Sequence, residues 1–240
     1  MTQTDRADLR VRYREERDKR LRPEGNAQYL EPTGKFAHFL DDPYVAPISR
    51  EPLFDEVTVA VIGAGFAGLV TAARLKEAGV DDVRLIDGGG DVGGTWYWNR
   101  YPGAMCDTAA MIYLPLLEET GHMPSKKYTY APEIFGHAQR IATTFDLYDN
   151  ALFSTQITAL DWDETVDRWI ISTQRGDKIR ARFVAMGTGP LHRPKLPGVE
   201  GIESFEGHCF HTSRWDYKYT GGNPAGMPLT GLADKRVGII

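Results

Sequence analysis

An α/β fold built on a parallel sheet is the class that the sequence predicts, on three observations. "VTVAVIG" (57–63) is an unbroken run of β-branched and small residues, the composition of a strand buried on both faces. "GFAGLVTAARLKEAG" (65–79) switches to helical spacing and ends at Gly79, a residue suited to the left-handed position after a helix. "VRLID" (83–87) is a second apolar run. Strand, helix and strand in that order make a βαβ unit with a right-handed crossover. At 240 residues the chain is long enough for one large domain or two small ones around a sizeable core.

In chain order, residues 1–53 read as a charged N-terminal arm and a linker. "DRADLRVRYREERDKRLR" (5–22) is helix-prone, and Pro23 stops it. Its bases outnumber its acids, which would suit a nucleic-acid or partner contact; a solvated helix is the simpler reading. "EPTGKFAHFLDDPYVAPISREP" (31–52) reads as an irregular, Pro-rich linker. The globular part, 54–190, begins with the βαβ unit. After Asp107 the pattern weakens, until "APEIFGHAQRIATTFD" (131–146) gives an amphipathic helix with Leu147 and Tyr148 just beyond. "LFSTQITALDWD", "RWIISTQ" and "KIRARFVAMGTG" follow as three strands joined by short polar turns. They predict a small antiparallel β-meander whose last strand returns to the parallel sheet. Residues 191–234 read as a linker holding the Gly/Pro loop "GGNPAGMPL", and "KRVGII" (235–240) as the opening of another buried strand.

Composition excludes several classes. The net charge of -5 argues against a general nucleic-acid binder. Two cysteines, Cys106 and Cys209, stand far apart, which rules out a Cys-rich zinc site or a disulfide scaffold and fits a reducing cytoplasm. No metal site is expected. The charged N-terminus has no apolar core of a signal peptide. "VTVAVIGAGFAGLVTAARL" has the length of a membrane span, but its three glycines and its change of period midway argue for strand, turn and helix instead. A cytoplasmic protein without membrane contact is the expectation.

"GAGFAG" (63–68) fits G-x-G-x-x-G, a weak signal alone. Here a strand precedes it, a helix follows, and Asp87 closes the next strand 24 residues after the first glycine. That context is the fingerprint of a Rossmann-like dinucleotide site. Gly63 permits the tight turn, Gly65 lets the backbone approach a pyrophosphate, and Gly68 lets helix pack on strand. Phosphates sit at the positive helix N-terminus. The Asp87 carboxylate can accept from ribose hydroxyls and would repel a 2′-phosphate, so the site suits FAD or NAD rather than NADP.

"GGTWYWNRYPGAMCD" (93–107) follows at once. Trp96, Tyr97 and Trp98 are more aromatic surface than a loop normally exposes. They read either as a plug packing the loop to the core or as a wall for a flat ring system. Arg100 could pair with a phosphate or be solvated. Asp107 is either a cap or surface acid, or a group near whatever ring lies there.

The whole segment resembles the [A/G]-G-x-W-x-x-x-x-[F/Y]-P-[G/M]-x-x-x-D signature of type I Baeyer–Villiger monooxygenases, through Gly93, Gly94, Trp96, Tyr101, Pro102, Gly103 and Asp107. "FEGHCFHTSRWD" (205–216) is similar to that family's second signature, F-x-G-x-x-x-H-x-x-x-W-[P/D], through Phe205, Gly207, His211, Trp215 and Asp216. "AMGTGPLHRPKLPG" (185–198) resembles the hinge of flavoproteins with two dinucleotide-binding domains, with Met186 departing from the usual small polar residue. The long arm resembles the subgroup acting on large cyclic, polycyclic or steroid-like ketones.

The resemblance implies a Rossmann-like FAD-binding domain, tightly bound FAD, and NADPH as reductant. Dioxygen then forms a flavin C4a-peroxide, which attacks a ketone and yields an ester or lactone. It implies that Gly63, Ala64, Gly65, Phe66 and Ala67, with Gly68 behind them, hold the FAD pyrophosphate. Asp87 would hold the adenosine ribose, and Gly94, Thr95 and Trp96 would lie along the cofactor. Tyr113 would contact FAD, and the Ile157 backbone would bond adenine. Asp107 would approach the flavin and position a catalytic Arg. His211 would couple the movement of two domains rather than transfer a proton, and His208 has no counterpart. In the family the next strand leads into a second, NADPH-binding Rossmann-like domain. "KRVGII" resembles that strand, with the catalytic Arg and most of the substrate pocket expected beyond Ile240. The chain therefore reads as an N-terminal portion that would not turn over alone. Flavin-containing and N-hydroxylating monooxygenases, which oxygenate N or S, share part of the pattern; Trp215-Asp216 and the complete 93–107 segment favour the Baeyer–Villiger branch. A catalytically dead flavin-binding remnant is the non-enzyme alternative.

Overall fold

The computed structural model describes residues 3–46 and 48–240. The chain divides into two compact units: the residues up to His38 with Lys195–His208 and Ile240, and Phe39–Pro194 with Cys209–Ile239.

The larger unit is built on a five-stranded mixed sheet in the order β3-β2-β6-β5-β4. Its strands are β2 (Glu56–Ile62), β3 (Val83–Ile86), β4 (Ile157–Asp163), β5 (Arg168–Thr173) and β6 (Lys178–Met186). β2 lies parallel to both β3 and β6, with Ile62 opposite Ile86 on one side and Met186 on the other. Three strand ends therefore meet at one edge, the crevice where open α/β sheets hold their ligands. The expected βαβ unit is present, with α2 (Phe66–Glu77) as its crossover helix. Gly79 has φ +83° and donates to the Lys76 carbonyl, closing the helix as its position predicts. The meander is also present, but β6 belongs to both halves: it pairs antiparallel with β5 and parallel with β2.

The long amphipathic helix is α6 (Ala131–Thr144), which buries Ile134, Ala138, Ile141 and Ala142. It packs with α2 over Val59, Val61, Leu69, Val83 and Leu85. Burying an isoleucine of this kind contributes about 1.5–3 kcal/mol. Short helices α3 (Thr95–Trp98), α4 (Ala110–Tyr113) and α5 (Leu117–Thr120) fill the stretch between, and α7 (Tyr217–Thr220) follows the second signature. A second cluster, with Val57, Ala60, Ile86, Ile171 and Ile179, ties the parallel strands to the antiparallel ones.

The smaller unit holds α1 (Gln3–Asp18), and β1 (Tyr29–Leu30) paired antiparallel with β7 (Leu196–Pro197). From residue 6 onward α1 is exposed apart from half-buried Leu9, as a solvated helix should be. Among the described residues no helix is long and apolar enough to cross a membrane.

Two readings need correction. Residues 31–52 are not a loose linker. Phe36 and Phe39 are buried in a 3-10 turn, and Arg50 grips Asp177 with two bonds of 2.6 and 2.8 Å. The Asp177 side chain is wholly buried and also accepts from Leu53 N and Thr173 Oγ1, so this pair fastens the entry of β2 to the β5–β6 turn. "KRVGII" forms no strand: 236–240 are irregular, and Val237, Ile239 and Ile240 are exposed. An apolar run forms a strand only against a partner, and these residues pair with no strand of the described chain.

Candidate functional site

A cleft of about 830 Å³ opens where the three parallel strands end. Its floor is backbone against backbone. Gly63 leaves β2 at φ +97°, and a Cβ there would stand 2.5 Å from the Gly187 carbonyl oxygen. Gly94 sits at φ +52°, and its Cβ would stand 2.7 Å from Gly65 Cα. Gly68 lies behind the floor, where a Cβ would be 1.8 Å from the Gly63 carbonyl oxygen. No side chain caps α2. The N–H groups of its first turn have no intrahelical partner, and Gly65, Phe66 and Ala67 of that turn line the cleft.

Asp87 stands at the end of β3 and also lines the cleft. Its Oδ2 accepts from Ala64 N at 2.6 Å and its Oδ1 from Gly89 N at 2.7 Å. Burial pushes its carboxyl up, against the pull of those two donors. The acid therefore shapes the glycine turn itself, which the spacing alone does not reveal.

The aromatic triplet divides between its two readings. Trp96 and Trp98 line the cleft, while Tyr97 is 1% exposed and acts as the plug. Trp96 Nε1 donates to Tyr113 Oη at 2.8 Å, and the two rings meet edge to face 5.9 Å apart. The Tyr97 hydroxyl donates to Asp42 Oδ2 and accepts from Gly90 N at 3.0 Å. Arg100 is neither solvated nor placed on the cleft. Its guanidinium lies 3.9, 4.6 and 4.3 Å from the ring centres of Tyr44, Tyr97 and Phe135, and its Nε donates to the Tyr97 carbonyl at 2.8 Å.

Of the other expected residues, Gly94, Thr95, Tyr113 and Ile157 line the cleft, whereas Ala64 and Gly68 lie behind it. Asp107 is exposed, in a bend before α4, and lies outside the lining. His211 is half-buried and also outside it; its Nδ1 accepts from Ser213 N at 3.1 Å and caps the 3-10 turn Thr212–Arg214. His208 is exposed. Sequence reasoning missed Asp42, His192 and Arg214. Arg214 sits inside the quoted second signature and carried a signal, being a cation between a serine and a tryptophan. Asp42 carried none, because its contact with Tyr97 spans 55 residues.

Residues 61–149 match the model of an NAD(P)-binding Rossmann-like domain. The chain is 58% identical over 97% of its length to neopentalenolactone D synthase of Streptomyces avermitilis, and 55% identical over 98% to a Baeyer–Villiger monooxygenase of Streptomyces coelicolor. Among solved structures it superposes on the polycyclic ketone monooxygenase of Thermothelomyces thermophila with a TM-score of 0.86, at 37% identity over 97% of this chain and 40% of that one. It also superposes on OTEMO in complex with FAD and NADP, with a TM-score of 0.61 at 34% identity, over 70% of this chain and 31% of that one. In sequence and fold the chain is similar to the Baeyer–Villiger monooxygenases. It corresponds to their N-terminal portion and spans 39% of the length of the two curated relatives. The segments 93–107 and 205–216, which resemble the two signatures of that family, are placed differently with respect to the cleft.

Proposed function

We propose that the cleft holds FAD and that these residues form the flavin-binding part of a Baeyer–Villiger monooxygenase, an enzyme that converts a ketone and O2 into an ester or lactone with NADPH as reductant. One observation carries the reading. The Gly63, Gly65, Gly94 and Gly187 backbones close so tightly at the uncapped end of α2 that only glycine fits at Gly63 and Gly94. That lets a ligand come close to the first-turn N–H groups of α2, which no side chain caps and which suit a diphosphate. The donor set fits FAD better than NADP, because the Asp87 carboxylate faces the place of a ribose and would repel a 2′-phosphate there. The solved complex with FAD and NADP, in a relative of the same fold, supports the same cofactors.

When bound, the flavin supplies the redox and oxygen chemistry. The chain's own residues do the rest. The first turn of α2 binds the diphosphate through Gly65, Phe66 and Ala67, and Gly63 and Ala64 hold the turn. Asp87 keeps lone pairs for ribose hydroxyls beyond its two backbone bonds. The Trp96–Tyr113 pair forms a rigid apolar wall that orients a ring system and excludes water. Ile157, at the start of β4, offers its backbone to the adenine. Asp107 positions a flavin-proximal Arg supplied by another part of the enzyme, and His211 couples the movement of the two dinucleotide domains. NADPH-dependent ester formation is a property of the whole enzyme and is not expected of these 240 residues alone.

The test is the visible absorption spectrum of the purified chain, followed by NADPH without oxygen. A bound-flavin spectrum that NADPH fails to bleach is the expected result. Absence of flavin, even after incubation with FAD, overturns the reading. Bleaching would place a nicotinamide site within this chain. Trial of a ketone against a sulfide with a full-length relative-like enzyme separates the Baeyer–Villiger reaction from N- or S-oxygenation.

A further inference from the structure

Arg214 lines the cleft and is 8% exposed, yet among the described residues it forms no ion pair. Its Nε has no hydrogen-bond partner. Its remaining bonds go to neutral acceptors at long range: Nη1 to the Ser213 carbonyl at 3.3 Å and to Ser213 Oγ at 3.2 Å, and Nη2 to the His192 carbonyl at 3.3 Å. The guanidinium lies over Trp98, its Cζ 4.2 Å from the ring centre. Asp42 is the carboxylate near enough to act on it, but that group is committed elsewhere. Asp42 Oδ2 holds the Tyr97 hydroxyl and Gly90 N, and its Oδ1 accepts from Tyr44 N.

A buried guanidinium without a counter-charge is destabilising, because its lost hydration is not replaced. Folds keep such a group where a ligand supplies the missing charge. Around it stand Trp98 and the His192 and Ser213 carbonyls, and its Nε is buried without a partner. The other anion-binding elements of the cleft are the α2 N-terminus, which offers partial charge, and Arg193, a cation that lines the cleft but is exposed, whereas Arg214 is buried. A dinucleotide brings two negative charges on its diphosphate, and a planar guanidinium is the group best shaped to meet phosphate oxygens.

We propose that Arg214 is the counter-cation of the bound dinucleotide and pairs with its diphosphate. This rests on the flavin reading of the cleft. Residues 211–216 then respond to filling of the cleft through one side chain that the signature pattern does not specify.

The experiment measures the affinity of the 240-residue chain for FAD, ADP and riboflavin, together with its unliganded melting temperature, for wild type, Arg214→Gln and Arg214→Lys. The expected result is a loss of about 10- to 100-fold in FAD and ADP affinity for Arg214→Gln, and a smaller loss for Arg214→Lys. Riboflavin, which has no phosphate, binds equally to all three. The unliganded melting temperature of Arg214→Gln is equal to or above that of wild type, because an uncompensated buried charge has gone. FAD affinity should also depend less on salt in Arg214→Gln than in wild type. Equal FAD affinity in wild type and Arg214→Gln overturns the proposal. So does an equal loss of FAD and riboflavin with a lowered melting temperature, which marks a structural residue. A wild-type chain that binds neither FAD nor ADP overturns the flavin reading itself, and this assignment with it.

Discussion

The glycine floor of the cleft and the segment 211–216 are both parts of family signatures, yet they are built on different principles. In the floor the motif residues act through what they lack: at Gly63, Gly68 and Gly94 a Cβ would meet backbone at 2.5, 1.8 and 2.7 Å. In 211–216 the motif residues act through side chains spent locally. His211 caps one turn, Asp216 Oδ1 accepts from Tyr219 N at 3.0 Å to cap α7, and Trp215 Nε1 donates to Thr220 Oγ1 at 2.9 Å. The side chain that reaches the cleft, Arg214, occupies a variable place in the pattern. A motif of absences points straight at a ligand, whereas a motif of caps points at a scaffold.

Gly68→Ala tests the first half of that contrast and carries the largest expected effect. The new methyl meets a backbone oxygen that no rotamer change can move, so the turn between β2 and α2 must open. A loss of about 4 kcal/mol or more is expected, in the range reserved for strained or overpacked sites. FAD uptake should fall to background in the absorption spectrum. A variant that melts within a few degrees of wild type and still takes up FAD would break the argument that the floor is backbone-limited.

Legibility follows the same division. The βαβ unit, Gly79 and the three late strands were readable because period and glycine placement are local properties. The anchoring of 31–52 was not. It depends on Arg50 meeting a buried Asp177, and on Asp42 meeting Tyr97, across 127 and 55 residues. Arg100 escaped both of its sequence readings, phosphate partner and solvated cation, for a related reason: besides the neighbouring Tyr97, the rings that enclose it, Tyr44 and Phe135, come from distant segments. Asp87 was read as a ribose acceptor, and its two backbone bonds to the glycine turns appear only in the fold.

Glu133 sharpens the comparison from the side of α6, the helix whose Phe135 presses against Gly93. Burial alone would raise its carboxyl. The Ser125 and Thr129 hydroxyls, the Ser125 N–H and the nearby His122 outweigh it and bring the pKa to about 2. The folded value lies below the unfolded one, so this stabilisation is present above about pH 4.5 and is lost as pH falls toward 2. Up to about 3 kcal/mol is involved. Urea melts at a series of pH values should show that slope, and Glu133→Gln should flatten it. An unchanged slope would assign the acid sensitivity to other carboxylates.

Tyr97→Phe comes next. It removes the donor to Asp42 while keeping the buried ring that packs on Tyr44 and Trp98. A carboxylate left short of one donor costs about 1–2 kcal/mol. Residues 42–45 should then detach more readily from the Gly90 turn, which faster amide exchange at Tyr44 and Gly90 would report. Exchange unchanged at both amides would show that the Asp42 contacts with backbone N–H groups suffice.

Asp216→Ala has the smallest expected effect and bears most directly on the contrast. Its Oδ1 caps a helix of four residues, so the loss should lie near the lower end of the cap range, about 0.5–1 kcal/mol. Asp216 lies outside the lining of the cleft. FAD affinity should therefore stay within about 2-fold of wild type, a difference near 0.4 kcal/mol, although Asp216 is a fixed position of the signature and Arg214, two residues earlier, is not. A large loss of FAD affinity in Asp216→Ala would mean that the caps transmit to the cleft as a unit. The segment would then be one positioning device rather than a scaffold that carries a single ligand-facing cation.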